Sequence, residues 1–214
     1  MTSKLKSLIA AIAVLYGAEA LADNTSPSML SEEERAEFKS LMPEDFGKFV
    51  IHDEPRPFRD KTFLNADGED IDLHKFDDSV TLVNFWATWC PPCLKELPGM
   101  DKLQAELEED GLDVVAISLD HGGIKKARRF WKRADMQMGL YADPDKDLAL
   151  QMGVIGLPVT AILGPDGREI GRLIGEAEWD SAEVQEMLRF LIDATKANET
   201  DRKEASASKP SRDG

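Results

Sequence analysis

The stretch Asn84-Phe85-Trp86-Ala87-Thr88-Trp89-Cys90-Pro91-Pro92-Cys93 restricts the fold more than any other part of this chain. It closes an apolar run, Thr81 to Ala87, of the kind a strand covered on both faces needs. It then opens a helix. Pro91 falls at the first helical position, where its missing N–H costs nothing. Cys90 therefore stands at the N-cap and Cys93 at the third position. A cap side chain accepts a hydrogen bond from the N–H of that position, so the predicted acceptor is the Cys90 sulfur. The positive helix end favours a thiolate there, and the thiolate is the attacking form of cysteine. Cys93, one turn inside, is expected to be shielded.

These are the only two cysteines in 214 residues. A redox pair, half a metal site and a structural staple are the three readings. A ring of four residues constrains the unfolded chain little, so a staple is a poor use of the pair. Zinc would need two more ligands. The only histidines, His52, His74 and His121, lie in separate segments without paired spacing, so no metal is expected. Redox exchange takes precedence. Pro91 and Pro92 remove two donors near the sulfur, and no Lys, Arg or His lies between the cysteines. The thiolate is then only modestly favoured, which makes for a more reducing couple.

Lys4 and Lys6 precede an apolar run, Leu8 to Ala18, too short for a bilayer, which needs about 20 residues. Ala20-Leu21-Ala22 has the form of a cleavage site. Residues 1–22 read as a secretory signal segment, with retention as an uncleaved anchor as the alternative. The expected compartment is the periplasm, where two nearby thiols tend to pair. A net charge of −15 supplies no basic stripe for nucleic acid. Nothing argues for an oligomer, so a monomer is expected.

Residues 23–54 form an N-terminal extension. Ser31 and Glu34 have capping-box spacing, and a short amphipathic helix is predicted over 31–41. The stiff stretch Glu54-Pro55-Arg56-Pro57 marks a boundary, and the main domain is set at 55–196. Asp67-Gly68 between two short runs signals a hairpin. Leu94, Leu97, Leu103 and Leu107 carry the helix after the cysteines to about Glu109, with a kink expected at Pro98. Asp113 to Leu119 reads as a second buried strand. Ile124 to Ala134 reads as a basic helix with a solvated face. A short strand at 138–141 and a short helix at 145–152 follow. Val159 to Leu163 and Glu169 to Ile174 form an antiparallel pair across a turn, and a terminal helix covers 179–195. Residues 197–214 hold no aromatic or large aliphatic side chain and are expected to be a disordered tail. This order predicts an α/β domain with a mixed central sheet and helices on both faces.

Trp86-Ala87-Thr88-Trp89-Cys90-Pro91-Pro92-Cys93 resembles the active-site motif of thioredoxin-fold oxidoreductases. Together with "FLNADGEDIDLHKF", "VVAISLDHGG" and "GVIGLPVTAILGPDG", it is similar to the TlpA-like branch of that fold over about residues 55–196. The resemblance implies a thioredoxin-like fold and an exported thiol:disulfide reductase acting in cytochrome c maturation or respiratory oxidase assembly. It implies Cys90 as nucleophile, Cys93 as resolving thiol and Glu96 as an acidic group beside them that relays protons. Pro158 matches the family's cis-proline, leaving the Leu157 backbone free for a substrate strand. Trp89 and Pro91 would complete the substrate-binding surface, with Trp86 either joining it or lying in the core. His121 could reach the groove. Asn84 stands where thioredoxin carries a buried aspartate, so that relay is missing. Partners implied are client protein disulfides, such as apocytochrome c or copper-site proteins, and an upstream membrane dithiol donor. No bound cofactor is required.

Three other readings remain, of which a peroxidase on the same fold would lack its usual threonine–cysteine pocket. A disulfide donor or isomerase would run the same chemistry the other way, against the weak thiolate stabilisation. A copper-binding chaperone would use Cys90 and Cys93 as soft ligands. Thioredoxin-like copper chaperones typically space their cysteines by three residues and add a distant histidine; the spacing here is two, and no histidine stands out.

Overall fold

The computed structural model describes residues 29–207 except 45, 47 and 58–60, with side chains to 201. The signal segment lies outside the described residues.

Helix α1 (Glu32–Ser40) begins at the expected capping box: Ser31 Oγ accepts from the Glu34 N–H at 3.2 Å, and Glu34 accepts from the Ser31 N–H at 2.7 Å. Strand β1 (Lys48–Pro57) follows, then the short hairpin β2 (Phe63–Leu64) and β3 (Asp70–Ile71), whose turn uses Gly68 at φ 85°. The wholly buried strand β4 (Val80–Trp86) leads into α2 (Pro91–Leu107), which runs through Pro98. Gly111 reverses the chain at φ 102° into β5 (Leu112–Ser118). Helix α3 (Gly123–Ala134), β6 (Leu140–Ala142), α4 (Asp147–Gln151), β7 (Val159–Leu163), β8 (Arg168–Ile174) and α5 (Ala182–Ala207) complete the order.

The strands form one mixed sheet in the order β1-β8-β7-β4-β5-β6-β2-β3. β4, β5 and β6 are parallel, and β7 and β8 run antiparallel beside β4. Because side chains alternate along a strand, β4 divides its residues between two cores. Leu82 and Trp86 pack with α2, α3, α5 and Phe38 of α1, whereas Val83 and Phe85 pack with α4 and the hairpin side. Helices thus cover both faces, as expected of a thioredoxin-like fold.

Two boundaries differ from expectation. β1 crosses the boundary set at 54/55 and pairs with β8, so part of the N-terminal extension belongs to the sheet. Its prolines read as a linker because they lack donors, yet an edge strand with a register shift between Ile51 and Arg56 accommodates them. Buried Glu169 of β8 fastens it through a 2.7 Å hydrogen bond with His52. At the other end, the tail expected to be disordered from 197 is helical as far as Ala207. The segment is rich in Ala, Glu, Lys and Arg, which favour helix without needing a core. Asn198 anchors it by donating to Met29 O and to the Glu34 carboxylate. The remainder, 208–214, lies outside the described residues.

Candidate active site

Cys90 caps α2 as the spacing predicts, with extended backbone and its sulfur 3.4 Å from the Cys93 N–H. The two cysteines are joined in a disulfide. Cys90 retains 4% exposure and Cys93 none. The asymmetry follows from the helix: the cap residue sits at the rim, and the next turn points into the core.

The loop before Cys90 is clamped from an adjacent strand. Asp120, two residues past the end of β5 and wholly buried, accepts from the Thr88 N–H at 3.0 Å and the Thr88 hydroxyl at 2.9 Å. It also accepts from Ser118 Oγ at 3.0 Å and Lys126 Nζ at 2.7 Å. Burial alone would push this carboxyl up. The bonds from Lys126, Thr88 and Ser118 outweigh burial and hold it below the usual carboxylate range. Thr88→Val should therefore lower the stability of the oxidised protein by about 2 kcal/mol, since it removes one hydrogen bond to a charged group. Urea unfolding measures this, and unchanged stability would mean the hydroxyl anchors nothing.

Glu96 is buried one turn beyond Cys93. Its Oε1 accepts from Asn84 Nδ2 at 2.9 Å, and its Oε2 accepts from Trp179 Nε1 at 3.2 Å and the Ala177 N–H at 3.3 Å. Burial raises its pKa from 4.5 to about 7, the hydrogen bonds from Asn84, Trp179 and Ala177 only partly offsetting that, and nearby Glu176 adds to the rise. Asn84 ties Glu96 to Thr160, its Nδ2 also donating to Thr160 Oγ1 at 2.9 Å. Glu96 also lines a cleft of about 920 Å³ between α2 and the segment before α5.

The Leu157–Pro158 bond is cis. Val159 pairs with Phe85, so Pro158 lies level with the end of β4, next to the loop that carries Cys90. Pro158 is buried. Leu157 is half-buried and packs on the core that includes both cysteines, and its backbone makes no hydrogen bond among the described residues. Trp89 is 61% exposed, and Pro91 is also exposed. Trp86 instead belongs to the core, with its ring stacked on Trp131 at 5.4 Å. His121 is exposed beside Asp120 and joins no part of this arrangement. Among the described residues no cluster of His, Cys, Asp or Glu could hold a metal ion.

The Redoxin family profile matches residues 53–188, well over half of the chain. The chain belongs to the Redoxin family. Within it, the thiol-disulfide oxidoreductase ResA of Bacillus thuringiensis subsp. konkukian is 32% identical over 112 residues. That alignment covers 52% of this chain and 64% of the relative. ResA of Bacillus subtilis is 27% identical over 111 residues, covering 52% of this chain and 62% of the relative. This Redoxin-family chain thus spans less than two thirds of those relatives' length. Among solved structures, a secreted thiol-disulfide isomerase from Corynebacterium glutamicum superposes with a TM-score of 0.59 at 20% identity, over 72% of this chain and 96% of the other. StoA from Bacillus subtilis does so with 0.51 at 23% identity, over 60% and 95%. The two superpositions carry the thioredoxin-like fold.

Sequence reasoning missed Asp120, Thr88, Lys126 and Trp179 as parts of this Redoxin-family site. The available signals were an aspartate closing an otherwise apolar strand and a lone tryptophan in the polar run "GEAEWDSAE".

Proposed function

We propose that this protein is a thiol:disulfide oxidoreductase that reduces disulfides in client proteins. The observation that carries the reading is the cysteine pair itself: Cys90 at the rim of a helix cap, Cys93 wholly buried behind it. In the reduced protein the Cys90 thiolate attacks one client sulfur. The client S–S bond breaks, one client thiolate leaves, and a Cys90–client disulfide remains. Cys93 then loses its proton, attacks the Cys90 sulfur and expels the second client thiolate. Two electrons have passed to the client, and the Cys90–Cys93 disulfide is left.

Glu96, half-ionised near neutral pH, is suited to take the Cys93 proton, and its cleft gives that proton a way to solvent. The free Leu157 backbone offers an edge to an extended client segment. Trp89, Leu150 and Ile155, exposed by 61%, 68% and 102%, supply apolar contact. The resemblance of its active-site motif to the TlpA-like branch favours clients whose cysteines await haem or copper, an upstream membrane dithiol as electron source and work outside the cytoplasm. Among the described residues no helix is long and apolar enough to cross a membrane.

Equilibration of residues 23–214 in defined thiol–disulfide buffers, with thiol alkylation as readout, tests the direction of electron flow. A reductase should lie near the potential of thioredoxin, about −270 mV, or not far above it. A value near about −120 mV would make the protein a disulfide donor instead.

A further inference from the structure

Charge is distributed unevenly over this molecule. Helix α3 carries Lys125, Lys126, Arg128, Arg129, Lys132 and Arg133 and no acid, and without those six cations the net charge of −15 would be −21. Lys126 is engaged by Asp120, and Arg128 donates to the Ala66 carbonyl. The other four are exposed and have no carboxylate partner among the described residues. Lys125, Arg129, Lys132 and Arg133 fall at i, i+4, i+7 and i+8, which places them on one helix face. They span about 12 Å along the axis. Arg133 also lies over the Phe130 ring, 6.0 Å from its centroid. In a chain with 41 acids, this row of cations without carboxylate partners is a basic stripe that the net charge alone gave no reason to expect.

The row is coupled to the redox loop. Lys126, in the first turn of the same helix, bonds to Asp120, and Asp120 grips Thr88 two residues before Cys90. A partner held on the α3 face is therefore held at a fixed offset from the reactive sulfur.

We propose that the exposed face of α3 docks an acidic protein surface flanking the cysteines of an exchange partner. The proposal rests on the oxidoreductase reading above. Charge complementarity selects this occupant, because a molecule of net charge −15 repels an acidic surface except where cations are gathered, as they are on this face of α3. A lipid surface fits less well. The apolar side of α3 is spent inside the protein, with Ala127 and Trp131 buried and Ile124 and Phe130 packed on the core. No large apolar side chain remains exposed on α3 to enter a bilayer.

The test uses the reduced full chain and two synthetic peptides, each closed by one disulfide, identical except for four flanking glutamates or four flanking lysines. At 0.1 M salt the screening length is about 10 Å, so a peptide meets the local field more than the net charge. The Glu-flanked peptide should be reduced about tenfold faster than the Lys-flanked one, with the ratio shrinking toward one at 0.5 M salt. In K125Q/R129Q/K132Q/R133Q that preference should be lost while neutral 2-hydroxyethyl disulfide is reduced at the parent rate. The two pairwise variants, K125Q/R129Q and K132Q/R133Q, should each lose part of it and guard against misfolding of the quadruple variant. Equal rates for the two peptides, a preference for lysine, or a glutamate preference that survives in the variants would overturn the proposal. So would parent-only binding to phosphatidylglycerol vesicles without any peptide preference, which would make the face a lipid site. Failure to reduce any of the three disulfides would instead overturn the oxidoreductase reading on which the proposal rests.

Discussion

Cys93→Ser is expected to yield a protein that captures a client disulfide and cannot release it. With the buried thiol gone, attack by Cys90 still forms the mixed disulfide, but the intramolecular step that resolves it is missing. That step draws its rate from proximity, since a resolving thiol held in the same helical turn acts at an effective concentration of about 10⁵ M or more. Solution thiols at millimolar levels cannot replace it, so turnover should fall by at least about a thousandfold. A covalent adduct should accumulate on non-reducing gels. Cys90→Ser should form no adduct, because Cys93 has no exposed surface from which to attack. If Cys90→Ser traps clients as well as Cys93→Ser does, the roles assigned to the two sulfurs are reversed.

Glu96→Gln should make the protein more stable in alkaline solution and slower in exchange. The folded-state pKa is about 7 against a usual value of 4.5. Below about pH 4.5 the group is protonated in both states and has no effect on stability. Between 4.5 and 7 the folded state holds the proton more tightly, so stability falls as pH rises. Above 7 the full cost of burying the carboxylate is present, about 3 kcal/mol. Glutamine removes that slope. Its Oε1 can keep the bonds from Trp179 and Ala177, and an amide flip brings Asn84 Oδ1, which has no partner among the described residues, to the new NH2 group. Urea unfolding of the oxidised protein should show parent and variant equal near pH 4.5 and separated by about 3 kcal/mol at pH 8. Loss of the proton acceptor should slow the resolving step about a hundredfold near neutral pH. Parallel stability curves for parent and variant would show that Glu96 is ionised at its ordinary pKa and is no proton holder.

The junction from β4 to α2 was legible because every signal there is local. An unbroken apolar run, a cap residue and a proline at the first helical position all point to the same geometry. The cis bond at Pro158 came from resemblance rather than from spacing. What stayed hidden depends on distant partners. Thr88 meets Asp120 across 32 positions, and Glu96 meets Trp179 across 83. Periodicity shows which face of an element is buried, but not which polar group waits on the neighbouring element. The same reason hid β1, whose prolines suggest a linker until β8 is seen beside them. It also hid the length of α5, which Asn198 secures by contacts with residues 164 and 169 positions earlier.

The prolines of β1 affect more than the strand's own pairing. An eight-stranded sheet presents two rims, and an open rim of unpaired amides invites another sheet to join it and grow. Here one rim ends in a two-residue strand, and the other is β1, with Pro55 inside a register shift between Ile51 and Arg56 and Pro57 at its end. A second chain approaching β1 would find donors missing where its own carbonyls need them. The irregularity that makes this segment look like a linker thus doubles as a guard against edge-to-edge aggregation.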